Sequence, residues 1–244
     1  MQFARVHPED SVVEIGPGAG ALTRELAAAA HHVIAIEIDK DLIAALRSDM
    51  PANVEIIQGD ALEIDFPPGR FHLVGNLPYN VATPLFKRFI EHRDRIVDVT
   101  VMIQKEVAER LVAKPGTGEY GPLSVLIQFY ADVNYGFTVP PGAFKPRPRV
   151  DSAVVRLEWK PGVPRARAFT DFVQQAFSSR RKKLANNLLH MFGSLKRDDV
   201  LRRIEKSGIG MNARPEELSV DDFMRVYNQF RDERSECKPD RAQP

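Results

Sequence analysis

Short apolar runs alternate with stretches of helical spacing over the first two thirds of the chain. Runs of this length, bounded by Gly, Asp or Pro, read as buried strands, and the amphipathic stretches between them read as helices. The pattern predicts strands near Ser11–Gly16, Val33–Glu37, Val54–Gln58, Phe71–Asn76, Val97–Gln104, Val133–Val139 and Ser152–Glu158. Such alternation gives a parallel sheet covered by helices, so the expected fold is α/β and Rossmann-like. The Pro/Gly stretch from Lys160 to Pro164 breaks both periodicities and reads as a linker. Beyond it, Phe169, Phe172, Val173, Ala176 and Phe177 fall at i, i+3, i+4, i+7 and i+8, a helical spacing. Further helices are expected at Arg180–Met191, Asp198–Ser207 and Pro215–Phe230, the last opened by Pro215 and two glutamates. The division expected is a sheet domain over 1–160, a small C-terminal all-helical domain over 165–231, and a polar tail over 232–244.

Composition narrows the class. A chain of 244 residues can bury one large core and a small second one. The single cysteine, Cys237, lies in the polar tail, so neither a disulfide framework nor a thiol catalyst is expected. No apolar run reaches the roughly 18 residues of a membrane span, and the start is not signal-like, which points to the cytoplasm. The six histidines lack metal-ligand spacing, so no metal is expected, and His31-His32 reads as a surface pair at a helix end. Net charge is only +1, but residues 1–80 carry −7 and residues 140–190 carry +8. A basic middle beside an acidic half favours a nucleic-acid substrate, because phosphate neutralisation supplies most sequence-independent affinity.

Chemistry gathers at successive strand ends, where ligands of such sheets bind. The first run enters Gly16-Pro17-Gly18-Ala19-Gly20, whose glycines permit positive φ and close approach of a ligand. The spacing is GxGxG, and Pro17 removes an N–H that a pyrophosphate would use, which favours S-adenosylmethionine over a dinucleotide. Glu37, twenty-one residues after Gly16, can bind both ribose hydroxyls. Asp60, in Gly59-Asp60-Ala61, can accept from the adenine amino group of that cofactor. The fourth run ends in Asn76-Leu77-Pro78-Tyr79. An exocyclic amine conjugated to its ring is a poor nucleophile, and two acceptors on its N–H bonds expose the lone pair. The Asn76 side-chain oxygen and a carbonyl at Leu77 or Pro78 can serve, while Tyr79 can stack on an extruded base.

The chain resembles the ribosomal RNA adenine dimethyltransferase family, which places two methyl groups on each of two adjacent adenosines in the 3′-terminal hairpin of small-subunit rRNA. The matching stretches are VVEIGPGAGALT, IEIDKDL, QGDAL, GNLPYNVATPLF, MIQKEVAERLVAKPGTGEYGPLSV, FKPRPRVDSAVVRL and FSSRRKKLANNL. The resemblance implies an S-adenosylmethionine-dependent methyltransferase sheet, with cofactor contacts at Gly16, Gly18, Gly20, Glu37, Asp60, Ala61 and Asn76. It implies base contacts from Asn76, Leu77, Pro78 and Tyr79, with Phe144 closing the other face of the adenine. Lys145, Arg147 and Arg149 would flank the catalytic mouth, and Arg180, Arg181, Lys182 and Lys183 would meet the rRNA backbone. The implied partner is small-subunit rRNA within an immature 30S-type subunit, met by a monomer. Macrolide-resistance methyltransferases of large-subunit rRNA share the core motifs, but the FSSRRKKLANNL and RPEELS segments are closer to the small-subunit enzymes. A non-catalytic ribosome assembly factor is the other alternative. Relatives carry some thirty residues before the first strand, and only ten precede Ser11 here, so an open site with weaker cofactor binding is expected.

Overall fold

The computed structural model describes residues 2–78, 81–145, 147–164, 167–179 and 182–231. The chain forms two compact units, one from Met1–Val112 and Tyr130–Val163, the other from Ala113–Phe129 and the chain from Pro164 onward. The sequence reading leaves Ala113–Phe129 with the sheet. Its Tyr120, Val125 and Leu126 instead pack with Phe169 and Phe172, because long-range packing and not chain order decides which core a helix joins.

In the first unit, β1 (Ser11–Ile15), α1 (Ala21–Ala29), β2 (His32–Glu37), α2 (Lys40–Arg47) and β3 (Val54–Gln58) are followed by β4 (Phe71–Asn76), α3 (Ala82–Glu91), β5 (Ile96–Gln104) and α4 (Lys105–Val112). After α5 (Pro122–Tyr130) come β6 (Ala131–Val139) and β7 (Ser152–Trp159). The seven strands run in the order β3-β2-β1-β4-β5-β7-β6. β1 to β5 pair in parallel as expected, whereas β7 enters antiparallel between β5 and β6. The link from β6 to β7 holds only a short 3-10 turn, Pro141–Ala143, not a crossover helix, and without one neighbouring strands run antiparallel. His32, expected at a helix end, is the first residue of β2.

One sheet face carries Val12, Val33 and Val74 against Leu26, Ala27 and Ala30 of α1. Burying such side chains contributes about 1.5–3 kcal/mol each. Toward the strand starts, the same face of β4, β5 and β7 holds charge. His72 Nδ1 is 2.9 Å from Asp98 Oδ1 and its Nε2 is 3.3 Å from Asp10. Arg156 donates to Asp98 Oδ2 at 2.5 Å and lies 3.4 Å from Glu158. The hydrogen bond to Asp98 raises the His72 imidazole above its ordinary value, against burial. Burial works to raise the Asp98 carboxyl, and the hydrogen bonds from His72 and Arg156 outweigh it and hold it below the usual range.

The second unit holds α6 (Arg167–Ala176), α7 (Leu184–Met191), α8 (Arg197–Lys206) and α9 (Val220–Phe230). Its core is aromatic, with Phe177 stacked on Phe223 at 5.5 Å and Phe192 on Phe230 at 4.9 Å. Two helices differ from expectation. α7 starts at Leu184 and not at Arg180, since Lys183 is extended at ψ 152. The expected Pro215–Phe230 helix is a 3-10 turn, Pro215–Glu217, followed by α9, because the Ser219–Asp222 capping box starts a new helix after buried Leu218.

Candidate active site

The sheet order reverses between β1 and β4, and the turn after β1 lies beside the end of β4. Gly75 makes this approach possible: a Cβ there would lie 2.6 Å from the Ile15 carbonyl oxygen, its partner strand. The turn itself puts Gly16, Gly18 and Gly20 at φ 70, 58 and 78. Gly20 lines neither of the two cavities described below. It caps α1 in the left-handed region, and a Cβ would meet Leu46 and Met50 at 2.7 Å, so its fit is to packing.

Gly16 lines two cavities. The smaller, about 220 Å³, is bounded by Glu37, Ile38, Asp60, Ala61, Leu62 and Pro78, among others. Glu37 is buried, and its carboxylate accepts from the backbone N–H of Gly18, Ile38 and Asp39 at 3.1, 2.9 and 3.0 Å. Asp60 Oδ1 accepts from Leu62 N at 2.8 Å, the local turn that short acidic side chains favour. Ile38 is 65% exposed and offers this cavity an apolar wall that the strand pattern does not announce.

The larger cavity, about 600 Å³, is bounded by Gly16, Asn76, Glu14, Thr100, Phe137 and Lys145, among others. Phe3 and Ala4, from the stretch before β1, form part of its wall, and Phe3 meets Phe137 edge-on at 6.2 Å. A bulge at Gly136 turns Phe137 and Val139 onto the face of Val154 and Ser152, and so toward this cavity. Asn76 is exposed at the last position of β4. Leu77 is buried and donates its N–H to Met102 at 3.0 Å, which anchors the start of the motif to β5. The Pro78 carbonyl accepts from Val81 N–H at 3.2 Å. Tyr79 lies outside the described residues, as do Arg180 and Arg181.

Glu14 and Thr100 were not legible as site residues. They flank Val74 across the register, on the face that carries Asn76 two positions on. Glu14 Oε2 and Thr100 Oγ1 are buried without a hydrogen-bond partner. Burial pushes the Glu14 carboxyl up to about 7, eased by the Thr23 hydroxyl and reinforced by the charge on Glu37. That hydroxyl is close enough to ease the charge without a well-formed bond, since Thr23 Oγ1 is itself unpartnered.

Phe144 is half-buried and donates its N–H to Pro141 at 3.3 Å. Lys145 reaches the larger cavity, Arg147 is exposed, and Arg149 borders a separate groove with Gln104 and Lys105. Lys182 and Lys183 are exposed on the second unit. Among the described residues no cluster of His, Cys, Asp or Glu is arranged to hold a metal, and no helix is long and apolar enough to cross a membrane.

A sheet of this order, with a glycine turn and acidic strand ends at its reversal point, has the fold of the S-adenosylmethionine-dependent methyltransferases. The family model described as ribosomal RNA adenine dimethylase matches residues 1–232. The chain is 41% identical over 244 residues to a ribosomal RNA small subunit methyltransferase A of Pseudomonas fluorescens, covering 96% of this chain and 88% of that one. A protein of the same name from Chromobacterium violaceum is 42% identical, with 92% and 86% covered. Among solved structures, a dimethyladenosine transferase from Plasmodium falciparum superposes with a TM-score of 0.82 at 27% identity, covering 94% of this chain and 92% of that one. The 23S rRNA methyltransferase ErmE gives 0.69 at 28% identity, with 93% of each covered. The chain belongs to the ribosomal RNA adenine dimethylase family.

Proposed function

We propose that the chain transfers methyl groups from S-adenosylmethionine to the 6-amino groups of two adjacent adenosines in the 3′-terminal hairpin of small-subunit (16S) rRNA. The observation that carries this reading is the position of Asn76, which closes β4 beside Gly16 and opens onto the larger cavity. The names of the small-subunit relatives support the substrate.

The cavities fit the cofactor. The smaller has apolar walls at Ile38, Leu62 and Val81 for a purine, with Glu37 and Asp60 as acceptors for ribose hydroxyls and an amino group. When bound, S-adenosylmethionine supplies a methyl group from its sulfonium centre. The Asn76 side-chain oxygen and the Leu77 or Pro78 carbonyl take the N–H bonds of the target amine and turn its lone pair outward. Tyr79 and Phe144 sandwich the base. Catalysis is by positioning: effective molarities of about 10⁵–10⁸ M correspond to roughly 7–11 kcal/mol of barrier. No acid–base residue is needed. Lys145, Arg147 and Arg149 guide the RNA at the mouth, and Arg180, Arg181, Lys182 and Lys183 hold its backbone. The substrate is rRNA in an immature small subunit, met by a monomer in the cytoplasm.

Tritiated methyl transfer to unmethylated small subunits tests the reading, with Asn76→Ala as the comparison. Dimethyladenosine from the wild type and none from the variant is expected. Undiminished transfer by the variant would remove Asn76 from the mechanism. Binding of immature subunits without transfer by the wild type would favour an assembly factor, and transfer only to large-subunit rRNA would overturn the substrate.

A further inference from the structure

The basic run of the second unit is a loop tied down at both ends. Asn187, in the first turn of α7, is fully buried among Leu184, Ala185 and Leu188. Its side-chain amide does not serve its own helix. Nδ2 donates backward to the Ala176 carbonyl, the last residue of α6, at 2.6 Å, and to the Ser179 carbonyl at 3.1 Å. The Ser179 carbonyl also accepts from Lys182 N–H at 3.1 Å, so one oxygen joins the buried amide to the backbone of the first described lysine. At the far end, Lys183 Nζ donates to Asn212 Oδ1 at 2.6 Å, and Leu184 N–H donates to the Ala213 carbonyl at 2.9 Å.

A polar amide at a core position costs desolvation unless its donors are used, and an apolar side chain there would pack with its neighbours at less cost. Here the donors are spent on loop carbonyls. Both lysines stay exposed, and the partner of Lys183 is a neutral amide, so its full charge remains available to a phosphate. A cation already held in place loses less freedom when it meets its anion. Resting on the rRNA reading above, we infer that Asn187 is a positioning residue for RNA binding: through Ser179 it fixes the backbone that presents Lys182 and Lys183 to the phosphates.

The test is a mutant cycle in the full-length chain, read as affinity for a fluorescent small-subunit 3′-terminal rRNA hairpin over a range of salt. Asn187→Ala should weaken binding about tenfold in the wild-type background and less than about twofold when Lys182→Gln and Lys183→Gln are already present. The salt slope of Asn187→Ala should move toward that of the double lysine variant. Affinity for S-adenosylmethionine should not change. The same loss in both backgrounds, or no loss in a folded Asn187→Ala protein, overturns the inference. If circular dichroism shows that Asn187→Ala does not fold, Asn212→Ala at the exposed end carries the test. It should cost about threefold and nothing further once Lys183→Gln is present, and no loss at all would count against the clamp. A wild-type chain that binds no such RNA, at low salt or high, would instead defeat the rRNA reading on which the inference rests.

Discussion

At the start of β4, His72 is held between Asp98 and Asp10, while two residues along the same face the carboxyl of Glu14 and the hydroxyl of Thr100 each keep an oxygen buried and unpartnered. The two ends of one sheet face therefore treat polar groups in opposite ways. Buried charges stabilise as a set and cost heavily when one member is lost. Unsatisfied groups cost at all times, and persist where a ligand or a reaction uses them. The paired end belongs to stability, and the open end belongs to the proposed chemistry.

Substitutions at the two ends should separate these roles. Asn76→Ala, at the open end, should lower methyl transfer by about 10²- to 10³-fold, the usual cost of removing one preorganised hydrogen-bonding group, with the melting temperature unchanged. Asp98→Ala, at the paired end, should lower stability by about 3 kcal/mol in urea unfolding, the low side of the range because Arg156 keeps Glu158 and His72 keeps Asp10. Transfer per folded molecule should survive it. A folded Asp98→Ala protein as inactive as Asn76→Ala would erase the distinction.

Glu14 sharpens the comparison through pH. Between the ordinary 4.5 and about 7 the folded chain keeps a proton on Glu14 that the unfolded chain has lost, so stability falls as pH rises through that window. Glu14→Gln should match the wild type near about pH 4 and exceed it by up to about 3 kcal/mol above about pH 8. His72 has the same sign: its contribution is full below its ordinary value and fades as pH rises through its raised one. Asp98 acts at the other limit, with a contribution lost only as pH falls through its depressed value. If Glu14→Gln left the unfolding profile unchanged, the carboxyl would not be carrying the burial cost ascribed to it. The smallest expected effect is Phe144→Ala, which should reduce transfer by about tenfold, within the roughly 1–3 kcal/mol of one stacked base, and leave cofactor affinity alone.

What the sequence revealed follows the same division. Strand positions were legible because apolar runs have length and boundaries, and Gly16, Glu37, Asp60 and Asn76 stood out as polar residues where such runs end. Glu14 was not, since an acid inside Val12-Val13-Glu14-Ile15 reads as the solvent side of an alternating strand until register sets it beside Val74 under the larger cavity. The antiparallel entry of β7 depends on a connection without a helix, and no strand pattern encodes direction. The start of α7 was misplaced because the carbonyls that keep Arg180 to Lys183 out of the helix's expected span are bonded by a side chain eight and eleven residues downstream. Tertiary hydrogen bonds of that reach leave no local trace.

Gly75 gives the site a mechanical property. Its bare Cα lets β1 and β4 run close, so the turn at Gly16 and the amide at Asn76 hang from one hydrogen-bonded ladder and not from two independent loops. Thermal displacement of that ladder carries both groups in the same direction at the same moment. Like the common-mode signal in a differential amplifier, it cancels from the gap between them, and the spacing on which an in-line transfer depends stays steady while the surrounding chain moves.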